Sequence, residues 1–182
     1  GMEFLGPFWY NGIRFALGAL SLVPFLVFRK RSGVLDSVRA HPWIGITAGL
    51  FLFIASTFQQ VGLLYTTAGK AGFITGLYVV LVPVIGSFLG TVTDSGRWIG
   101  ALFAAAGLYL LSVTEGFSIG AGDALVLGSA VFYAGHVLLL GRYAPRIDTL
   151  GLAVFQYLTC SVLSVMGGVI FETVSLQGVF AG

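Results

Sequence analysis

The sequence predicts an all-α integral membrane protein with about six transmembrane helices, and three observations lead to this fold class. First, 57% of the 182 residues are hydrophobic and only 9% are charged, whereas about 25% of the residues of soluble domains are charged. Second, the charged residues stand in short clusters between long apolar runs, as loops do between membrane spans. Third, the 27 glycines lie mostly inside the apolar runs, where small residues let membrane helices pack closely.

Six segments carry the roughly 20 apolar residues that a membrane helix needs. In chain order they are 7–28, 43–64, 71–90, 97–114, 124–141 and 150–171. Each is bounded by residues that favour helix ends. The first ends at the basic run 29–31, and the others follow Pro42, Gly69, Asp94, Asp123 and Thr149, of which the last three are candidate N-caps. No basic n-region precedes the first segment, so we expect it to stay in the membrane.

The distribution of Lys and Arg predicts the orientation of these segments. Of the nine basic residues, most lie in the loops after segments one, three and five: Arg29, Lys30, Arg31, Arg39, Arg97, Arg142 and Arg146. Basic residues accumulate in cytoplasmic loops, so these three loops are expected to be cytoplasmic. Odd-numbered segments then run from outside to inside, and residue 1 lies outside.

A weak internal repeat indicates that the sequence is a fragment. A shift of 142 residues aligns Arg14-Phe15 with Gln156-Tyr157, and it aligns the apolar run before residue 29 with the run before residue 171. The first copy descends and the second ascends, which is typical of an inverted-topology repeat. If segments one and six are equivalent, the helix equivalent to segment five stands before residue 1.

Several stretches resemble transporters of the EamA type, which belong to the drug/metabolite transporter superfamily. Residues 66–83 (TTAGKAGFITGLYVVLVP) resemble the fourth helix of these transporters. Supporting matches are Arg14-Phe15, the Gln59-Gln60 pair, Trp98 at the start of a Gly/Ala-rich helix, residues 132–136 (FYAGH) and residues 141–146 (GRYAPR). The chain departs from the family at residues 93–96 (TDSG), where members commonly carry a Gly-Glu pair, so the role of that Glu is not carried over.

The resemblance implies a ten-helix fold built from two inverted five-helix repeats. Residues 1–116 would form the first repeat without its first helix, and residues 117–182 would form the first two helices of the second repeat. It also implies a secondary transporter that exports small organic metabolites by alternating access across the bacterial inner membrane. The expected partners are a small-molecule substrate and the lipid bilayer, and no cofactor is expected.

Polar side chains on three segments are candidate substrate-binding residues: Gln59, Gln60, Lys70, Tyr78, Tyr133 and His136. On the second segment, the two glutamines share a stripe with Gly45, Gly49 and Ser56 at about 100° per residue. The glycines are expected to pack against a neighbouring helix. The glutamines could bond across that interface or line a cavity, and both interpretations stay open.

The fifth segment has one polar face, formed by Ser129, Tyr133 and His136 at spacings of four and three. His136 is the titratable group closest to neutral pH inside any predicted span, so it could bind substrate or carry a proton. A buried histidine bonded to a neighbouring helix fits the sequence equally well.

The third segment has two different sides. Its small side, expected to pack, carries Gly69, Gly72, Gly76 and Pro83, and its other side carries Lys70, Ile74, Leu77, Tyr78 and Leu81. Lys70 at the helix start could be a solvated interfacial lysine, or it could hold an anionic group of the solute on the outer side. Outside this segment, Arg14 is expected to snorkel to headgroups and Gln156 to pack.

Other function classes fit the sequence less well. Ser129 and His136 are separated by about 10 Å along one helix, too far for a nucleophile and its base. Cys160 is the single cysteine, and the formal charge of +2 is scattered, which argues against a Cys-ligated metal site and against nucleic-acid binding. The main alternative is a structural or assembly protein that uses small-residue helix interfaces. A polar cavity enclosed by segments two, three and five would favour transport.

Overall fold

A computed structural model of the chain describes residues 5–28, 41–90, 95–112 and 120–172. Helices dominate these ranges: α1 (Pro7–Phe28), α2 (Pro42–Gly62), α3 (Ala68–Gly76), α4 (Tyr78–Phe88), α5 (Ser95–Ser112), α6 (Ala121–Tyr143) and α7 (Thr149–Phe171). A 3-10 turn, Ala144–Arg146, follows α6. The described ranges contain no β-strand, and the predicted all-α fold class is confirmed. The candidate N-cap Asp94 lies outside them.

Four stretches are long and apolar enough to cross a membrane. They are Pro42–Gly62, Ala68–Phe88, Ala121–Arg146 and Thr149–Phe171. These stretches coincide with the second, third, fifth and sixth predicted segments. The other two predicted segments coincide with α1, which has 22 residues, and with α5, which has 18.

The third predicted span is divided into two helices at Leu77. The N–H of Leu77 donates to the carbonyl of Ile74 at 3.2 Å, and the N–H of Val80 donates to the carbonyl of Leu77 at 2.9 Å. Both bonds reach back three residues instead of four, so the backbone tightens into a turn of the 3-10 type. Pro83, inside α4, has no N–H and removes a further bond from the ladder. The span is therefore a pair of short helices.

Helix ends follow the predicted boundaries closely, although two N-caps differ. Pro42 is the first residue of α2, as expected. Asp148 caps α7, because its Oδ1 accepts hydrogen bonds from Leu150 and Gly151 at 3.0 and 2.9 Å. The predicted cap Thr149 is instead the first helical residue, since the carboxylate before it is a better acceptor. Asp123, also predicted as an N-cap, is the third residue of α6.

The described chain forms two compact units, residues 1–53 with 141–182, and residues 54–140. In the first unit, the early residues of α1 meet the late residues of α7, so the two helices pack antiparallel. A Cβ at Gly12 would lie 2.9 Å from Val165 Cγ2, and a Cβ at Gly167 would lie 2.5 Å from Phe8 Cδ1. Glycine is favoured at both places, because a Cβ would force Val165 or Phe8 to move.

The carboxylate of Glu172 caps α1 from the end of α7. Its Oε1 accepts from the N–H of Phe8 at 2.9 Å, and its Oε2 accepts from the N–H of Trp9 at 3.1 Å. The first amides of a helix have no partner within the helix, and a negative charge beside them is favourable. This contact ties the start of α1 to the end of α7.

The first half of α2 packs on α7 through the two predicted glycines. A Cβ at Gly45 would collide with the ring of Phe155, and a Cβ at Gly49 would lie 2.5 Å from Thr159 Cβ. Their assignment to packing is confirmed. Gln156 is buried behind Gly49, with 6% of its surface exposed, in agreement with its expected packing role.

In the second unit, the end of α2 packs against the start of α6. A Cβ at Gly62 would lie 2.7 Å from Val126 Cγ2, and a Cβ at Gly122 would lie 2.8 Å from the carbonyl oxygen of Gly62. Helix α5 contacts α3 and α4. Gly72, on the predicted small side of the third span, differs from the prediction, because no described atom apart from its own helix backbone lies within 4 Å of a Cβ there. Gly72 is exposed, so its predicted packing role is wrong for the part of the chain that the structure describes.

Candidate functional site

A hydrogen-bonded group of three side chains connects α2, α3 and α6 inside the second unit. The hydroxyl of Tyr133 donates to Gln59 Oε1 at 3.1 Å. Gln59 Nε2 in turn donates to the hydroxyl oxygen of Thr75 at 2.9 Å. We call Gln59, Thr75 and Tyr133 the glutamine cluster. It places an amide and two hydroxyls within helices that are mainly apolar.

Local packing explains why these side chains meet. The rings of Phe58 and Phe132 lie edge to face, with centroids 5.7 Å apart, directly before Gln59 and Tyr133 in the sequence. A Cβ at Gly128 would lie 3.0 Å from the Phe58 ring, so a small residue one turn earlier in α6 admits that ring. Helices α2 and α6 therefore contact each other beside the amide of Gln59 and the phenol of Tyr133.

An aromatic side chain extends the glutamine cluster. The ring of Tyr78 lies 6.2 Å from the ring of Tyr133, tilted by 48°. Tyr78 follows Thr75 by three residues, and the two side chains therefore share a side of the divided span. The cluster and Tyr78 together offer hydrogen-bonding groups beside a flat apolar surface.

The structure brings together three of the six predicted site residues: Gln59, Tyr78 and Tyr133. Gln60 and His136 are buried near them in sequence, with 5% and 8% of their surfaces exposed. Ser129, the third member of the predicted polar face of α6, donates its hydroxyl to the carbonyl of Val126 at 2.6 Å. Its hydroxyl is therefore used within its own helix.

The sixth predicted residue, Lys70, lines a separate pocket of about 400 Å³. We call it the Lys70 pocket, and its lining residues are Leu64, Tyr65, Thr66, Thr67, Lys70, Gly120 and Asp123. Thr67 caps α3 by accepting from the N–H of Lys70 at 3.3 Å. The pocket thus lies at the start of α3 and of α6.

Asp123 gives the Lys70 pocket a buried negative charge that the sequence reasoning missed. Its side chain is 6% exposed. One oxygen accepts from the hydroxyl of Thr66, and the other accepts from the N–H of Gly120 at 2.9 Å. The carboxylate fastens the loop after α2 to the start of α6. Lys70 therefore shares its pocket with an opposite charge, which reduces the net attraction for an anion.

Thr75 and Asp123 are the two site residues that sequence reasoning did not find. Thr75 stands three residues before Tyr78, and that spacing was the available signal. For Asp123 the signal was ambiguous, because an acidic residue in a first helical turn is favourable whether or not it binds anything else.

Arg14 has contacts that agree with its expected interfacial role. The side chain is exposed, and its guanidinium lies 4.9 Å from the centroid of the Phe15 ring and 5.7 Å from that of Tyr10. Cation–π contacts of this kind stabilise a positive charge beside apolar surface.

The described residues show no group of three or more His, Cys, Asp or Glu side chains that could hold a metal ion. Cys160 is buried and forms no disulfide.

Comparison with known proteins gives two matches. Residues 1–113 match the sequence profile of the EamA-like transporter family. A protein of Archaeoglobus fulgidus named "Uncharacterized transporter" is 36% identical over 164 residues, which cover 90% of this chain and 49% of that protein. The chain thus spans about half the length of this curated relative. No solved structure matches the chain.

Proposed function

Because this chain belongs to the EamA-like transporter family, we propose that it is part of a secondary transporter that exports small organic metabolites by alternating access. The family and the apolar helices make it a multi-pass membrane protein of a transporter family. Export, the metabolite class and the location in a bacterial inner membrane belong to the proposal. So does the activity of the whole protein, since the chain spans about half of its relative.

The glutamine cluster is the observation that carries this proposal. Polar side chains at membrane depth rarely face lipid, because unpaired polar groups are costly in hydrocarbon. The hydrogen bonds within the cluster leave capacity for a solute, because Gln59 Nε2 has a second N–H and the hydroxyl of Thr75 can donate as well as accept. A solute that replaces one of these internal bonds would loosen the connection between three helices, which is what a transport cycle requires.

The division of the third span at Leu77 supports the same proposal. Transporters often form their binding sites from interrupted helices. Here the break separates Thr75 from Tyr78, which stand on either side of it. The interruption therefore lies beside the glutamine cluster.

The inverted repeat is proposed as the basis of alternating access, with residues 1–116 and 117–182 belonging to different repeats. The antiparallel packing of α1 and α7 supports it. Phe15 and Tyr157, which the shift of 142 residues makes equivalent, touch with ring centroids 5.7 Å apart. Equivalent residues contact each other where a two-fold axis passes through an interface. The pair would mark that axis.

A structural or assembly role remains the competing proposal. Such a protein needs closely packed helices, and the Gly62 and Gly122 contact provides them. In that case the glutamine cluster would only join helices, and weakening it would reduce stability without a separate effect on transport.

Transport by the full-length protein, measured with a panel of metabolites in vesicles, tests the proposal. Tyr133→Phe removes the donor to Gln59 and keeps the ring. We expect it to slow transport of the solute that the protein carries by about two- to tenfold, as the loss of one hydrogen bond would. The level of folded protein should stay unchanged. Tyr109→Phe on the exposed side of α5 is the matched control. Equal loss of folded protein and transport in Tyr133→Phe, or no transport of any solute by the parent, would favour the assembly role.

A further inference from the structure

Three side chains between α1 and α7 carry buried polar atoms with no hydrogen-bond partner among the described residues: Trp9 at its indole N–H, Asn11 and Ser164. Asn11 and Ser164 are both 0% exposed. Neither the amide oxygen and nitrogen of Asn11 nor the hydroxyl of Ser164 is bonded. Buried amides and hydroxyls in proteins are almost always hydrogen-bonded, because an unpaired one loses its interactions with water and gains none. These two groups therefore indicate a bound partner.

The register of the two helices brings these groups to the same level. On one side of Asn11 and Ser164 along the helix pair, the ring of Phe8 lies against Gly167. On the other side, the hydroxyl of Ser161 donates to the carbonyl of Gly12 at 2.8 Å. Asn11 lies between Phe8 and Gly12 on α1. Ser164 lies midway between Ser161 and Gly167 on α7. The two contacts thus bracket both groups.

Both side chains also project toward the opposite helix. At about 100° per residue, Asn11 points between the directions of Phe15 and Gly18. Phe15 contacts Tyr157 ring to ring, and a Cβ at Gly18 would lie 3.5 Å from the same ring. Asn11 therefore faces α7. By the same geometry, Ser164 on α7 points midway between the directions of Ser161 and Gly167.

The chemistry of these groups decides what the partner is. The amide nitrogen of Asn11 can only donate and its oxygen can only accept, while the hydroxyl of Ser164 can do both. A metal cation would satisfy the oxygens and leave the amide N–H groups unpaired, and an anion would do the reverse. Water both donates and accepts, and buried waters typically bond to about three protein groups. We propose that a buried water molecule is bound between α1 and α7, held by Asn11 and Ser164.

The single asparagine of this chain makes the water observable. Labelling with ¹⁵N-asparagine gives one side-chain NH₂ group in the chain, and in a longer form of the protein Asn11→Leu identifies its signal by removing it. In lipid bilayers, we expect magnetisation transfer from long-lived water to this NH₂ group. Transfer only from carbon-bound protein protons, or none at all, would overturn the proposal.

Two serine variants separate a shared water from general hydration. Ser164→Ala removes one ligand of the proposed water and should reduce the water transfer to the Asn11 NH₂ group at least twofold. Ser129→Ala is the matched control, because Ser129 is equally buried but bonds to its own helix, and it should leave the transfer unchanged. Equal transfer in both variants contradicts Ser164 as a ligand. A shift of the NH₂ signal that saturates with Na⁺, and not with choline, would contradict the proposal, because it would indicate a bound cation instead of a water molecule.

A thermal measurement gives a second readout. If Asn11 and Ser164 share one water, the melting-temperature changes of Asn11→Leu and Ser164→Ala are not additive, since the second substitution finds the water already lost. Additive increases in melting temperature would mean that the two groups are simply unpaired, and the proposal would be wrong.

Discussion

His136 is buried in α6, three residues after Tyr133 of the glutamine cluster. Its proposed contribution is to bind the solute or to carry a proton during transport. We expect His136→Ala to reduce transport more than it reduces the amount of folded protein in the membrane. Transport rates in vesicles, divided by the quantity of folded protein, give this comparison. A parallel loss of both would assign His136 to packing alone.

Lys70 shares its pocket with the buried carboxylate of Asp123, and this arrangement limits what Lys70 can do for an anion. We predict that Lys70→Gln weakens the binding of anionic solutes from the outer side by about two- to fivefold, the range expected for an exposed charge pair. The difference should shrink between 0.1 and 1 M salt, because the Debye length falls from about 10 to about 3 Å.

Binding measured from the outer side with Lys70→Arg provides the control, since arginine keeps the positive charge. If the Lys70→Gln variant is present in the membrane at the normal amount and still binds the anionic solute as tightly as the unsubstituted protein does, Lys70 is an ordinary interfacial lysine.

Hydroxyl groups show why the sequence revealed only part of the candidate site. Ser129 and Thr159 both bond to carbonyls of their own helices, as hydroxyls in helices commonly do. Thr75 instead accepts from Gln59 of another helix. The three residues look alike in the sequence, and only the packing of neighbouring helices distinguishes them. Gln59 and Tyr133 were easier to predict, because a long amide and a phenol in an apolar run need partners beyond their own helix.

At the scale of helices, the close contact of α2 with α7 depends on Gly49. A methyl group there would meet Thr159 Cβ at 2.5 Å and the carbonyl oxygen of Gln156 at 2.9 Å, and the backbone oxygen cannot rotate away. We expect Gly49→Ala to lower the free energy of unfolding by about 1–3 kcal/mol, as overpacking does. Denaturation of the purified protein in detergent measures this change.

Gly72→Ala is the matched control for that substitution. Apart from its own helix backbone, no described atom lies within 4 Å of its added methyl group, and alanine favours a helix over glycine by up to about 1 kcal/mol. Its stability should stay unchanged or rise. A loss in Gly72→Ala as large as that in Gly49→Ala would show that helix packing at Gly49 is not the cause.

The helices themselves were predictable because length and apolar composition define a membrane span. The division at Leu77 was not, since apolar residues of the same kinds surround it and Pro83 stands six residues later. A tight turn at Leu77 depends on which carbonyls its neighbours reach. No pattern of residue types along the chain reports that choice.

At the scale of the whole molecule, the basic loops predict which side of the membrane each end faces. Residues 29–42, 91–97 and 142–148 should be cytoplasmic, and the loop around Tyr65 should be external. Single cysteines in a background without Cys160 test this by their reaction with an impermeant thiol reagent. Positions 31 and 146 should be protected in intact cells and position 65 should react. Labelling of 31 or 146 from outside would reverse the topology.

The cap that Glu172 places on α1 has a consequence for biosynthesis. The amides of Phe8 and Trp9 bond to a carboxylate that lies 164 and 163 residues later in the chain. At the roughly 5–20 residues per second of a ribosome, that carboxylate is made about 10–30 seconds after them. During this interval, the first amides of α1 lack this partner. The N-terminal end of α1 is therefore completed by a residue that is made after all the intervening helices.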